Sequence, residues 1–316
     1  MNKTTEKSRL RVIYIVGAGR SGSTVLGIVL GNHPGISSIG ELINLPQSGF
    51  INNEHDSSGK PCNEVPFWNK VKEIWMNKAE ISDVSSYVSL QNRFSKGKIM
   101  PWLRLLLERY RPSKKFKCYS AQTMALFEAI MEVSGSSIII DSSKSPMRAF
   151  ALSQILDIEL VLIHLVRDGR GVAYSLSNAY KKDVAKGIQT DLKPKSIWRT
   201  ALFWIITNLQ SEWVSRQVGA RRFMLLRYED FIQKPREVLF RIGALTGINF
   251  SSLADTLDAG GAMVVRHTIA GNRVRMKKEI RIRLDETWKA KFTLKQRMLF
   301  WNIAGWLMRR YSYDKD

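Results

Sequence analysis

Cysteine is scarce: Cys62 and Cys118 are the two in 316 residues. That excludes the disulfide framework of a small secreted fold, and neither cysteine sits in a metal-ligand spacing. A reducing compartment suits such a chain, with one bridge between the two left open. Long apolar runs are missing as well. None reaches the roughly 18 residues of a bilayer-spanning helix. Residues 1–11 are polar and the short apolar run after them ends in glycines, so no signal peptide is expected. Internal repeats and low-complexity tracts are absent. Acid is in deficit, with 28 Asp plus Glu against 49 Lys plus Arg, a formal net charge of +21. Such a surface favours polyanionic partners such as a nucleotide, an acidic polysaccharide or an anionic lipid. No RNA-binding signature with stacking aromatics accompanies the charge, so nucleic acid is not expected.

What is present alternates between strand and helix. A chain of this length buries a full core, and no polar Pro/Gly-rich break divides it. The expectation is a tail over residues 1–10 and one α/β domain over 11–316, with a central parallel sheet of the P-loop type flanked by helices. Residues 12–16, Val-Ile-Tyr-Ile-Val, read as a buried strand. Gly17-Ala18-Gly19-Arg20-Ser21-Gly22-Ser23-Thr24 follows, and then an apolar helix stopped by Gly31 and Pro34. Strand, glycine turn and helix in that order make an anion site, because the turn's N–H groups converge beside a helix N-terminus.

Spacing narrows the anion. Gly17 and Gly22 flank four residues, as in nucleotide-binding loops whose next residue is lysine. Here Ser23 occupies the lysine position, followed by Thr24, and the cation is Arg20, inside the loop. That disfavours ordinary ATP or GTP hydrolysis and suits a 5′-phosphate with a further anionic group beyond it.

Further along, residues 36–39 read as a short strand ending at Gly40-Glu41. Residues 45–66, rich in Asn, Ser, Gly and Pro, read as a long loop of the kind that contacts substrate. Residues 67–76 and 121–133 are predicted helical. Residues 96–117 interleave Trp102, leucines and Tyr110 with Arg104, Arg109 and Arg111, flanked by lysines that include Lys98. They admit two readings: a helix resting on an anionic membrane, or a core helix with a basic outer face. A strand at 137–140 leads into Asp141-Ser142-Ser143-Lys144-Ser145-Pro146, and a strand at 160–166 leads into Arg167-Asp168-Gly169-Arg170-Gly171. Ligands of open parallel sheets bind beyond such strand ends, and two arginines there make a second anion site. A basic loop spans 179–199 and an apolar helix 197–218. A strand at 223–227 ends in Tyr228-Glu229-Asp230, and a helix at 238–245 follows. A cation-rich stretch covers 267–283, and the last helix 294–310.

In their order and placement these segments resemble the sulfotransferases that use 3′-phosphoadenosine 5′-phosphosulfate, over most of the chain. The glycine turn resembles the family's 5′-phosphosulfate loop. Residues 165–175, Leu-Val-Arg-Asp-Gly-Arg-Gly-Val-Ala-Tyr-Ser, resemble its 3′-phosphate motif, and Arg227-Tyr228-Glu229-Asp230-Phe231 its adenine-side segment. The resemblance implies that Gly19, Arg20, Ser21, Gly22, Ser23 and Thr24 hold the 5′-phosphate and sulfuryl oxygens. It implies Arg167 and Ser175 on the 3′-phosphate, Tyr228 near the adenine, and Arg273 or Arg275 on a closing segment. Glu41 resembles the glutamate base of tyrosylprotein and carbohydrate sulfotransferases, and Lys144-Ser145-Pro146 a segment of glycosaminoglycan-modifying members. Catalysis is then expected from Glu41 as base, Arg20 on the departing phosphate and Lys144 as a second cation, with no metal. His267 is a further candidate base, and His164, inside an apolar strand, is expected in the core.

Arg20 in the loop and a carboxylate at position 41 depart from the small-phenol branch, which uses lysine and histidine. They imply a carbohydrate, glycolipid or lipid acceptor. The implied setting is a bacterial cytoplasm, with peripheral contact at the inner membrane. Two other readings stand at this point: a P-loop kinase or NTPase, and a non-catalytic polyanion-binding protein.

Overall fold

The computed structural model describes residues 9–96, 99–178, 180–189 and 191–315, apart from the side chains at 99–101 and 103. In chain order, β1 (Leu10–Val16) leads through the glycine turn into α1 (Ser23–Leu30) and the short β2 (Ile36–Ser38). Four helices follow, α2 (Pro66–Lys78), α3 (Val84–Ser95), α4 (Ile99–Tyr110) and α5 (Lys114–Ser134). Next come β3 (Ile138–Lys144), α6 (Pro146–Ser153), β4 (Ile158–Val166), α7 (Gly169–Ser177), α8 (Ile197–Val218) and β5 (Phe223–Arg227). After them run α9 (Tyr228–Gln233), α10 (Pro235–Thr246), α11 (Ser251–Asp258) and a small antiparallel pair, β6 (Met263–Val264) with β7 (Glu279–Ile280). The chain closes with α12 (Thr287–Lys291) and α13 (Leu294–Arg310).

The central sheet has five strands in the order β2-β3-β1-β4-β5, with every pairing parallel. A parallel sheet covered on both faces needs strands that are apolar on both, and β1 obeys. Val12, Tyr14 and Val16 pack into the cluster beneath α2, α5 and α6, while Ile13 and Ile15 pack with α1, α10 and α11. A third cluster joins α7, α8 and α13 around Trp204, Phe300 and Trp301.

The order places the ends of β3 and β4 on either side of β1. Val16 pairs with Lys144 on one side and with His164 on the other. The segments leaving β1, β3, β4 and β5 therefore emerge together at one edge, where open α/β sheets bind their ligands.

Several sequence expectations need correction. Leu10, assigned to the tail, is the buried first residue of β1, whereas residues 1–8 lie outside the described residues, as does Lys98. The 45–66 stretch is not a bare loop. Leu45–Ile51 forms a π-helical turn and Cys62–Glu64 a 3₁₀ turn, anchored by buried Leu45 and Cys62. Buried Asp56 fastens the stretch by accepting from Trp68 Nε1 at 3.0 Å. Helix α3 went unpredicted: its serines and Asn92 blur the apolar period, although Asp83 caps it by accepting from the Ser85 N–H. In α4, Trp102 turns inward, stacked on Phe150 and edge-on to Trp213, as a core helix would have it. Both cysteines are free thiols, Cys62 buried and Cys118 exposed. Among the described residues, no helix is long and apolar enough to cross a membrane.

Candidate active site

Along the sheet's C-terminal edge lies a cavity of about 590 Å³. Its walls include Gly19, Arg20, Gly22, Ser23, Thr24, Glu41, Lys144, Arg167, Ser175, Tyr228 and Arg273, so nearly every site residue expected from the sequence converges here. Ser21 is the exception. Its side chain is buried behind the turn, off the cavity, and its Oγ has no hydrogen-bond partner.

The glycine turn is shaped by its neighbours. Gly22 caps α1 at φ +91°, and a Cβ there would lie 2.3 Å from the Tyr228 ring. Gly17, at φ +139°, would drive a Cβ to 2.3 Å from the Leu165 carbonyl oxygen. These are the left-handed, close-approach positions that glycine serves. Gly19 has open space where a side chain would stand. Arg20 itself sits at φ +72°, an uncommon conformation for a residue with a side chain. Its guanidinium has no hydrogen bond or ion pair among the described residues and faces the cavity, where burial lowers its pKa. A cation held partly out of water without a carboxylate partner is a site for an incoming anion.

Arg167 leaves the end of β4 next door. It donates to the Arg20 carbonyl at 3.2 Å and to Asp285, at 2.9 Å to the carbonyl and 3.1 Å to Oδ2. Its guanidinium lies 4.8 Å from the Tyr228 ring centroid. One arginine therefore locks the glycine turn to the strand-end tyrosine, and the two expected anion clusters share one cavity. Arg170, grouped with Arg167 in the sequence reading, turns away. It pairs with Asp168 at 2.8 Å and lies against Trp288 and Trp301. The physical reason is α7: Asp168 caps that helix by accepting from the Arg170 N–H, which directs position 170 into the core.

Glu41 follows β2 across Gly40, whose φ of +87° lets the chain pair with Ile269. One Glu41 oxygen contacts Lys144 Nζ and the other accepts from Asn44 Nδ2 at 2.9 Å. Lys144 reaches it from the end of β3 with φ +64°. Three non-glycine residues in left-handed geometry, Arg20, Lys144 and Ala270 (φ +54°), thus border the same cavity, and strain of this kind concentrates at functional sites.

The late cation-rich stretch closes over the turn. Asn272 N–H donates to Thr24 Oγ1 at 3.1 Å, and Arg273 stacks on Tyr180 at 4.5 Å. Arg275, the alternative to Arg273, also lines the cavity, but it is buried and donates to the Ala270 carbonyl at 3.0 Å. His267 is corrected as a candidate base. It stacks on Phe67 at 4.6 Å, contacts Asp56 Oδ2 at 3.2 Å and does not line the cavity. His164 is a core histidine, bonded through Nε2 to Asn208 Oδ1 at 2.9 Å, with burial lowering its pKa to about 4. Sequence reasoning missed Asn44, Ser48, Glu54 and Asp285. Glu54 lines the cavity on the Glu41 side with no hydrogen-bond partner for its carboxylate among the described residues. It arrives through an irregular turn, where no local pattern marks it. Among the described residues, no group of three or more His, Cys, Asp or Glu is placed to hold a metal ion.

The family model described as "Sulfotransferase family" matches residues 12–252, so this chain belongs to the sulfotransferase family. It is an enzyme of the class that takes its sulfuryl group from 3′-phosphoadenosine 5′-phosphosulfate, which sets aside the kinase and non-catalytic readings. The late segment with Arg273 falls outside the matched region. Two solved structures are similar in fold. The sulfotransferase domain of the Synechococcus PCC 7002 olefin synthase is 21% identical with a TM-score of 0.52, covering 99% of this chain and 98% of that one. The sulfotransferase domain from the curacin biosynthetic pathway is 16% identical with a TM-score of 0.50, covering 97% and 99%. No curated protein sequence matched.

Proposed function

We propose that this enzyme sulfates a hydroxyl or amine of a carbohydrate, glycolipid or lipid acceptor, with the 590 Å³ cavity as its donor and acceptor site. The observation that carries the reading is the Arg20 guanidinium, with no hydrogen bond or ion pair among the described residues, in one cavity with Arg167. In this reading Arg20 and the N–H groups of residues 21–24 hold the 5′-phosphate and sulfuryl oxygens. Arg167 and Ser175 hold the 3′-phosphate, Tyr228 flanks the adenine, and Arg273 closes over them. Gly19 and Gly22 support it: Gly19 leaves open space on the turn, and Gly22 lets the turn pack directly against the Tyr228 ring.

The donor, when bound, supplies a sulfuryl group that passes to the acceptor oxygen or nitrogen as the bond to the 5′-phosphate oxygen breaks. Glu41 takes the proton that the acceptor releases. Arg20 and Lys144 offset the charge gathering on the departing phosphate. Lys144 contacts the Glu41 carboxylate and lines the same cavity as Arg20, so base and cation stand side by side in this reading.

The two similar structures are domains of an olefin synthase and of a curacin pathway, so acceptors of natural-product chemistry belong in the test beside sugars and lipids. The test is sulfuryl transfer from labelled donor into fractionated cell-envelope extract by the wild type and by Glu41→Gln. The variant is expected to keep its affinity for adenosine 3′,5′-bisphosphate and to lose about 10²–10⁴-fold in turnover. Unchanged turnover would reassign the base.

A further inference from the structure

Outside the cavity, the exposed face of α8 is unlike the rest of the surface. Trp198, Leu202, Phe203 and Ile206 stand on one side of its first three turns, 49%, 42%, 41% and 53% exposed. Spacings of four and eight residues from Trp198 align Leu202 and Ile206 in a row, with Phe203 beside them. Cations lie on the aromatic members of this row. The Arg199 guanidinium is 5.1 Å from the Trp198 ring and Lys195 Nζ is 5.6 Å from the Phe203 ring. The helix contains a single acid, Glu212, and that is taken up by the Tyr311 hydroxyl at 2.6 Å and Arg310 at 2.9 Å. Helix α13, packed on α8, also exposes Leu299 and Trp306 and has no acid at all.

We propose that the α8 face docks on an anionic phospholipid surface. Apolar side chains that project from a convex helix, with cations lying along them, match the layering of an acyl boundary below charged headgroups. A second copy of the chain fits poorly. A two-fold contact through this face would set Lys195 and Arg199 near their own counterparts, while the one acid of α8, Glu212, is already paired.

The face is continuous with the active-site rim. Tyr180 and Leu192 are joined at 3.0 and 2.7 Å through their main chains, and with Ile188 they wall the cavity. From Leu192 the chain runs through Lys193 and Lys195 directly into α8. Docking there brings the cavity's rim to the bilayer, so the acceptor is a hydroxyl or amine carried by a membrane-seated lipid. This consequence for the acceptor rests on the sulfotransferase reading; the docking itself does not.

The experiment is co-sedimentation of the full chain, without nucleotide, on vesicles of phosphatidylglycerol mixed with phosphatidylcholine and on phosphatidylcholine alone. Wild type is expected to bind the anionic vesicles and to release from them in high salt. Trp198→Ser with Ile206→Ser, and separately Lys195→Glu with Arg199→Glu, are expected to weaken binding roughly tenfold or more. Both should keep the wild-type melting temperature and the affinity for adenosine 3′,5′-bisphosphate. A wild type that ignores anionic vesicles, or variants that bind them as tightly, would overturn the proposal. So would a solution dimer, seen by light scattering, that the Trp198→Ser/Ile206→Ser pair dissolves. Loss of nucleotide binding with vesicle binding intact would instead count against the active-site reading.

Discussion

At Gly22 there is no room for a methyl group. The Tyr228 ring fills that space, and Arg167 lies against the same ring at 4.8 Å. Gly22→Ala must therefore displace Tyr228 and also hold φ +91° with a side chain, a strain of about 1–3 kcal/mol. The expected outcome is a tenfold or greater loss of nucleotide affinity by calorimetry, with a lowered melting temperature. Unchanged affinity would mean that the turn does not depend on its packing against Tyr228. Residues that directly follow a strand were legible in the sequence: Arg20 after β1, Lys144 at the end of β3, Arg167 after β4 and Tyr228 after β5. An apolar run that stops at a charged or glycine-rich segment marks a sheet's ligand edge without further information. Arg170 was misread because helix capping by Asp168, a local contest for one N–H, decided its direction. Glu54 and Asp285 were illegible because they reach the cavity through turns whose course is set by distant partners.

Among the elements, β4 and α8 are joined by a buried polar bond between His164 and Asn208. Burial lowers the His164 pKa from its ordinary 6.5 to about 4, so the folded chain keeps the imidazole neutral. The unfolded chain takes up a proton as pH falls through 6.5, and the folded chain does not until about pH 4. Stability from this group is full above pH 6.5 and falls across that window at about 1.4 kcal/mol per pH unit. Asp56 adds a separate loss at lower pH. Burial pushes its carboxyl up, but hydrogen bonds from His267, Ser58 and Trp68 outweigh that and hold it below the ordinary 3.8. In a urea-melt series against pH, His164→Gln should flatten the curve between pH 6.5 and 4 and leave the steeper loss below it. An unchanged slope would mean that His164 is protonated in the folded chain. The extents of α8 and α13 were readable from sequence, and α5 from residue 121 onward, but not which apolar residues they bury: Trp198 on α8 and Leu294, Met298 and Trp306 on α13 are exposed, and Trp301 alone of the face expected for α13 is in the core. Helix α3 and the π-helical turn were not readable, because a short or serine-rich segment carries too few apolar residues for a period to show.

Across the whole molecule, the net charge of +21 is gathered into function at one place in particular. The parallel order β2-β3-β1-β4-β5 brings four strand ends to one edge, and with them Arg20, Lys144, Arg167 and, from the closing segment, Arg273. These cations belong to residues more than 250 positions apart in sequence, and only the sheet order makes them a single site. The central claim is that one bis-phosphorylated adenosine touches both Arg20 and Arg167. It is tested most directly by calorimetric titration of wild type and Arg167→Ala with adenosine 3′,5′-bisphosphate and with adenosine 5′-monophosphate. The expected result is a wild-type preference for the bisphosphate of about tenfold or more, as a charge-assisted bond of ~1.5–3 kcal/mol would give, and its disappearance in Arg167→Ala. A preference that survives in the variant, or a wild type that binds both nucleotides equally, would contradict it.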